Sequence, residues 1–105
     1  MKFDDIPKRR PLAPGDHLRY IIEENAFTQQ QFADALGVTR RRINEILNGK
    51  RGITPDTALR LGRVLSTSPE LWLRLQNQLE LWDAVHAPSA KMVARLKPLK
   101  RARAA

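Results

Sequence analysis

The sequence has no cysteine, two histidines, three phenylalanines, two tryptophans and one tyrosine. Without cysteine there is no disulfide scaffold, no thiolate zinc site and no cysteine nucleophile. That absence fits a cytoplasmic protein, which is the localisation expected. His17 and His86 stand alone, without a second ligand at helical spacing, so no metal site is expected. No apolar run approaches the ~18 residues of a membrane span. The first residues, MKFDDIPKRRP, carry charge with no apolar stretch behind it, so neither a membrane anchor nor a secretory signal is expected. Useful β alternation and internal repeats are also missing. So are a nucleophile–base pair, a carboxylate pair and a glycine-rich phosphate loop, which argues against an enzyme and against any cofactor. A chain of 105 residues allows one small domain with tails.

Acid is scarce as well. Nineteen lysines and arginines face eleven acids, a net charge of +8. The isoelectric point near 10.9 lies above the value of about 9 that marks a basic domain as a nucleic-acid candidate. The excess is concentrated in two zones. Residues 28–63 carry seven basic and three acidic groups, and residues 88–105 carry six basic groups and no acid. The second zone reads as a solvated, disordered tail. The first lies inside expected structure and is the more informative.

What is present is helical punctuation. Residues 1–13 hold two prolines, Pro7 and Pro11, and little periodicity, and read as an extended arm. Pro14-Gly15-Asp16 opens a first helix with Leu18, Ile21, Ile22 and Tyr20 as apolar positions, and Asn25 suits its end. Thr28-Gln-Gln-Gln31 has the form of a capping box and starts a second helix. Its core face is Phe32, Ala33 and Leu36, and Gly37 stops it. Thr39 caps a third helix over about 40–48, with Ile43, Ile46 and Leu47 buried and Asn48-Gly49 as its turn. Thr54-Pro55-Asp56 opens a fourth, with core positions Ala58, Leu59, Leu61 and Leu65. Ser68-Pro69-Glu70 opens a longer fifth helix to about Ala87, where Pro88 marks the end. The expected fold is all-α with five helices. Its domain spans 14–87, between the arm 1–13 and the tail 88–105.

The second and third helices are joined by Gly37-Val38-Thr39 alone. Ala33, Gly37 and Ile43 fall at the spacing of a helix-turn-helix, here 28–48. A small residue lets two helices cross closely, a glycine supplies positive φ, and a branched residue wedges the second helix on the core. The motif places its second helix in the DNA major groove. With Ile43 inward, Arg41, Glu45 and Asn48 point outward, flanked by Arg42 and Asn44. Thr39 and Arg40 lie at the end that faces base edges. Arginine pairs with guanine and asparagine with adenine. Gln29 and Gln30 can hold phosphate at a helix N-terminus, and Lys50 and Arg51 can touch the backbone from the following loop. Expected DNA contacts are therefore Gln29, Gln30, Thr39, Arg40, Arg41, Asn44, Asn48, Lys50 and Arg51. Arg42 reads as a salt bridge or phosphate contact as readily as a base reader, and Glu45 as the partner of a neighbouring arginine.

The fifth helix is apolar around much of its girth. Leu71, Trp72, Leu75, Leu79, Trp82 and Val85 make one stripe, and Leu73 and Leu81 fall off it. A small domain has too little core to cover both sides. The surplus predicts a dimer, with Trp72, Leu73, Leu79, Leu81, Trp82 and Val85 at its interface. Plain core is the competing reading of both tryptophans.

These pieces together resemble a known family. Pro14-Gly15-Asp16, Thr28–Gln31, Leu36-Gly37-Val38, Asn48–Pro55, Ala58–Leu61 and Ser68–Gln76 occur in the order seen in HigA antitoxins. These belong to the Xre/Cro, lambda-repressor-like helix-turn-helix group. The resemblance covers about residues 6–85. It implies a partner toxin of the HigB type, a small basic ribonuclease that cleaves mRNA at the ribosome. It also implies a homodimer that binds a palindromic operator and represses its own operon. By position, Gln29, Gln30, Thr39, Arg40, Arg41 and Asn44 match the group's DNA contacts. Two features depart from the pattern. Leu79-Glu80-Leu81 replaces the usual Tyr-Asp-Leu run, and the basic stretch Lys91–Arg103 lies outside it. The toxin surface is not placed, although Asp4, Asp5, Glu23 and Glu24 are acids that suit a basic partner. Two alternatives stand beside this reading: a stand-alone Xre regulator without a toxin, and a protein-interaction module that no longer reads DNA.

Overall fold

The computed structural model describes residues 7–100. Six helices follow in order: α1 (Pro14–Glu24), α2 (Gln29–Leu36), α3 (Arg40–Leu47), α4 (Pro55–Leu65), α5 (Pro69–His86) and α6 (Ala90–Ala94). The described residues contain no strand.

The first five helices begin where local chemistry starts them. Thr28 Oγ1 accepts from the Gln31 N–H at 3.0 Å, and Gln31 Oε1 accepts from the Thr28 N–H at 2.8 Å. Thr39, Thr54 and Ser68 cap α3, α4 and α5 by accepting from Arg42, Thr57 and Glu70 N–H groups. A side-chain cap of this kind contributes about 1 kcal/mol, because it satisfies an N–H that the helix itself leaves unpaired. Gly37 ends α2 at φ 69° and ψ 34°, the left-handed geometry that costs glycine nothing.

The core is one cluster, with Leu18, Ile43 and Leu61 fully enclosed. Ala33 is wholly buried where α2 meets α3. Gly15 permits a second close approach. A Cβ there would sit 2.2 Å from the Ile46 carbonyl oxygen, so the start of α1 packs backbone to backbone on the last turn of α3. Helix α3 is thereby held between α1 and α2, with its Ile43–Ile46–Leu47 stripe inward and the rest of its girth outward.

Three expectations need correction. Leu59 is 62% exposed and Tyr20 65% exposed, so neither joins the core. Each sits just off the buried stripe of its helix, and apolar spacing alone misplaces residues at such a margin. The third concerns the tail. Pro88 does end α5, but the chain turns back into a helix at once, and α6 makes six helices where five were expected. Ala90 and Lys91 N–H groups return to the Ala87 and Pro88 carbonyls, since proline suits a first helical turn as well as it stops the helix before it. Ala90 and Val93 of α6 share an apolar recess with Leu81, Ala84 and Val85 of α5.

The described part of the arm, residues 7–13, carries no helix and is tied to the far end of α5. Arg10 meets Asp83 through two hydrogen bonds of 3.0 and 3.1 Å, and the Trp82 indole N–H donates to the Pro7 carbonyl at 3.0 Å. That pairing holds the Asp83 carboxyl below its ordinary pKa. Asp4 and Asp5 lie outside the described residues.

Candidate nucleic-acid interface

The outward side of α3 is polar and largely basic. Arg40, Arg41, Asn44 and Asn48 are all exposed, and Lys50 and Arg51 are exposed in the loop that follows. Arg41 has 89% of its side chain open to solvent. No acid lies in the first turn of α3, so the arginines dominate the local charge.

Most of the expected contacts are tied into three groups. Gln29, Asn44 and Asn48 form a ladder across two helices. Asn44 donates to Gln29 Oε1 at 3.4 Å, and Asn48 donates to Asn44 Oδ1 at 3.1 Å. The ladder continues to Arg19 of α1, whose guanidinium donates to Asn48 Oδ1 at 3.4 Å and to the Leu47 carbonyl at 3.2 Å. Arg41, Glu45 and Arg51 form the second group. Glu45 accepts from Arg41 Nε at 3.1 Å and from Arg51 Nη2 at 3.4 Å. The third group is engaged in hydrogen bonds within the motif itself. Thr39 spends its hydroxyl on the α3 cap, and Gln30 donates along its own helix to Asp34 at 2.8 Å.

Arg42 departs from its neighbours, because the structure places it in a salt bridge. Its Nη2 donates to Asp56 at 3.0 Å and also to the Thr57 hydroxyl, and its Nε is buried. Asp56 also accepts from Arg60 Nε at 3.0 Å. Arg60 reaches on to the Leu36 carbonyl at 2.9 Å, at the end of α2. The Arg42 and Arg60 hydrogen bonds hold the Asp56 carboxyl below its ordinary pKa. The cluster thus latches α3, α4 and the α2 C-terminus at the turn of the motif. Sequence reasoning missed Arg19, Asp56 and Arg60 as supports of this face. Only the Asp56–Arg60 pair, four residues apart on one helix, carried a local signal.

The residues expected at a dimer interface divide. Trp72 is buried to 2% exposure, and its indole N–H donates to Thr67 Oγ1 at 2.8 Å. That makes Trp72 a core residue and removes it from the interface. Leu79 is likewise buried within the single chain, at 8% exposure, and Leu73 packs against the core. Leu81, Trp82 and Val85 remain half-buried at the far end of α5. Trp82 stacks on His86 with ring centroids 3.7 Å apart. Among the described residues no group of histidines and acids could hold a metal ion, and no helix is long and apolar enough to cross a membrane.

Residues 18–72 match the helix-turn-helix family model, a stretch that contains all of α2, α3 and α4. Antitoxin HigA-1 of Vibrio cholerae is 35% identical over 77 residues, covering 72% of each chain. The chain belongs to the HigA family of helix-turn-helix proteins. Antitoxin HigA of Pseudomonas aeruginosa, solved with the higBA promoter, matches with a TM-score of 0.79 at 35% identity, covering 87% of this chain and all of that one. The Escherichia coli helix-turn-helix transcriptional regulator YddM is 33% identical over 94% of this chain and 97% of its own. These family members are antitoxins and transcriptional regulators.

Proposed function

We propose that this chain is a dimeric cytoplasmic antitoxin that silences an mRNA-cleaving toxin of the HigB type by direct binding and represses its own operon through a palindromic operator. One observation carries the DNA half. The exposed side of α3 gathers Arg40, Arg41, Asn44 and Asn48, with Lys50 and Arg51 beside them, on the fold of a HigA protein solved with its promoter. In this reading Arg40, Arg41 and Asn44 face base edges in the major groove, because arginine and asparagine supply the paired donors and acceptors that guanine and adenine match. Gln29 and Gln30, at the start of α2, hold backbone phosphate together with Lys50 and Arg51. Thr39 and Asn48 orient the two ends of α3.

The dimer places two copies of α3 about one helical turn of DNA apart, which makes the operator a near-palindrome. Its interface is the far end of α5, where Leu81, Trp82 and Val85 are half-buried, Leu81 and Val85 beside α6. The toxin half rests on the likeness to the HigA-1 antitoxin. A stand-alone regulator is the second reading, favoured by the match to YddM along nearly its whole length.

Co-expression with the neighbouring small reading frame separates the two. A neighbour that stops growth alone, and is rescued in a stable complex with this chain, supports the antitoxin. A neighbour that is neither toxic nor bound leaves the regulator, and its operator is then sought by selection from random duplexes.

A further inference from the structure

Glu45 is the one acid on the outward side of α3, and its position is not casual. Its side chain is 24% exposed, against 89% for Arg41 and 46% for Arg51. One carboxylate oxygen takes the Nε of Arg41 and the other takes Nη2 of Arg51. The backbone joins in. The Glu45 carbonyl accepts from the Lys50 N–H at 2.8 Å and from the Arg51 N–H at 3.2 Å. One residue therefore fixes the loop after α3 through its main chain, and both the loop's Arg51 and the helix's Arg41 through its carboxylate.

Two physical consequences follow. An acid among Arg40, Arg41, Lys50 and Arg51 repels phosphate, so it lowers affinity for any duplex regardless of sequence. The same carboxylate engages Arg41 at Nε only, which leaves the two terminal Nη groups available as a fork. A fork of that kind pairs with the two acceptors of guanine, and a guanidinium held by a carboxylate behind it arrives with less freedom to lose. Free of Glu45, Arg41 would swing onto phosphate as readily as onto a base.

We propose that Glu45 is a specificity-determining residue that acts through Arg41: it trades sequence-blind phosphate affinity for discrimination between operator and other DNA. The inference rests on the DNA-reading half of the proposed function.

The test uses the full chain, a duplex that the wild type selects from a random pool, and a scrambled duplex of the same composition. Glu45→Gln keeps the size and the polarity of the side chain and removes the charge. The variant should bind the scrambled duplex several-fold more tightly, with a salt slope steeper by about 1. The ratio between selected and scrambled duplexes should fall roughly tenfold. In an Arg41→Ala background the same change should leave the ratio where it is, which a merely structural role would not produce. Helical circular dichroism and the melting point confirm that each variant folds. An unchanged ratio in Glu45→Gln overturns the proposal. A loss that persists without Arg41 also overturns it, and makes Glu45 a direct reader instead. A wild type that discriminates no duplex removes the DNA-reading function itself, and the proposal with it.

Discussion

At the scale of single residues, two side chains of one type separate what composition cannot. Trp72 and Trp82 fall on one apolar stripe, yet Trp72 is enclosed and bonded to Thr67, while Trp82 is half-buried and bonded to the arm. Trp72→Ala should therefore cost about 3–5 kcal/mol of stability, the range for emptying an aromatic core site. Its denaturant midpoint should drop whatever the protein concentration. Trp82→Ala should instead lower the dimer mass in analytical ultracentrifugation; a dimer that stays intact and only melts earlier would move Trp82 into the monomer's own packing. Arg41 offers the functional counterpart. Arg41→Ala should cost roughly 1–3 kcal/mol of specific binding and relax discrimination at one base pair. Equal weakening on every sequence, measured by titration of single-substitution duplexes, would make Arg41 a phosphate contact.

Elements were legible in the sequence wherever their signals are local. Thr28, Thr39, Thr54 and Ser68 cap the helices they were expected to cap, because a cap depends on two or three residues next to it. The short α6 was not legible, since Ser89 makes no side-chain cap and Pro88 reads first as a stop. The candidate interface divided in the same way. The outward residues of α3 followed from helical angle, whereas the latch beneath it ties Arg42 of α3 to Asp56 of α4, fourteen residues on, and pairing at that distance leaves no mark in a single sequence. That latch has a pH signature. The Asp56 carboxyl is lowered because Arg42 and then Arg60 hydrogen-bond its ionised form. A carboxyl lowered by folding contributes stability that is complete above its unfolded value, near 3.9, and is lost as pH falls through the folded value. Asp56→Asn should melt below the wild type at pH 7 and show a smaller further drop between pH 4 and about pH 2. Parallel pH–melting curves for the two proteins would show that the latch contributes nothing.

On the scale of the whole molecule, the charge has two addresses with different physics. The middle zone is held rigidly on α3 and its loop, so it can carry sequence information. The tail carries cations that are exposed throughout residues 91–100 and have no acid among them. Cations of that kind add affinity by displacing counterions from phosphate, and they are blind to sequence. Removing all of 88–105 would test this badly, because α6 covers part of Leu81 and Val85 and its loss would disturb the end of α5 as well. Ending the chain after Leu96 keeps α6 and removes Lys97, Lys100, Arg101 and Arg103. Each cation that neutralises a phosphate contributes about 0.9 to the slope of log K against log salt, so the slope should shrink by up to about 3.6 per protomer. The preferred sequence should stay the same, because no base-reading side chain is lost. Binding isotherms for selected and scrambled duplexes at several salt concentrations check both statements. An unchanged slope would put the tail away from DNA, and an altered preference would give it a share in reading bases.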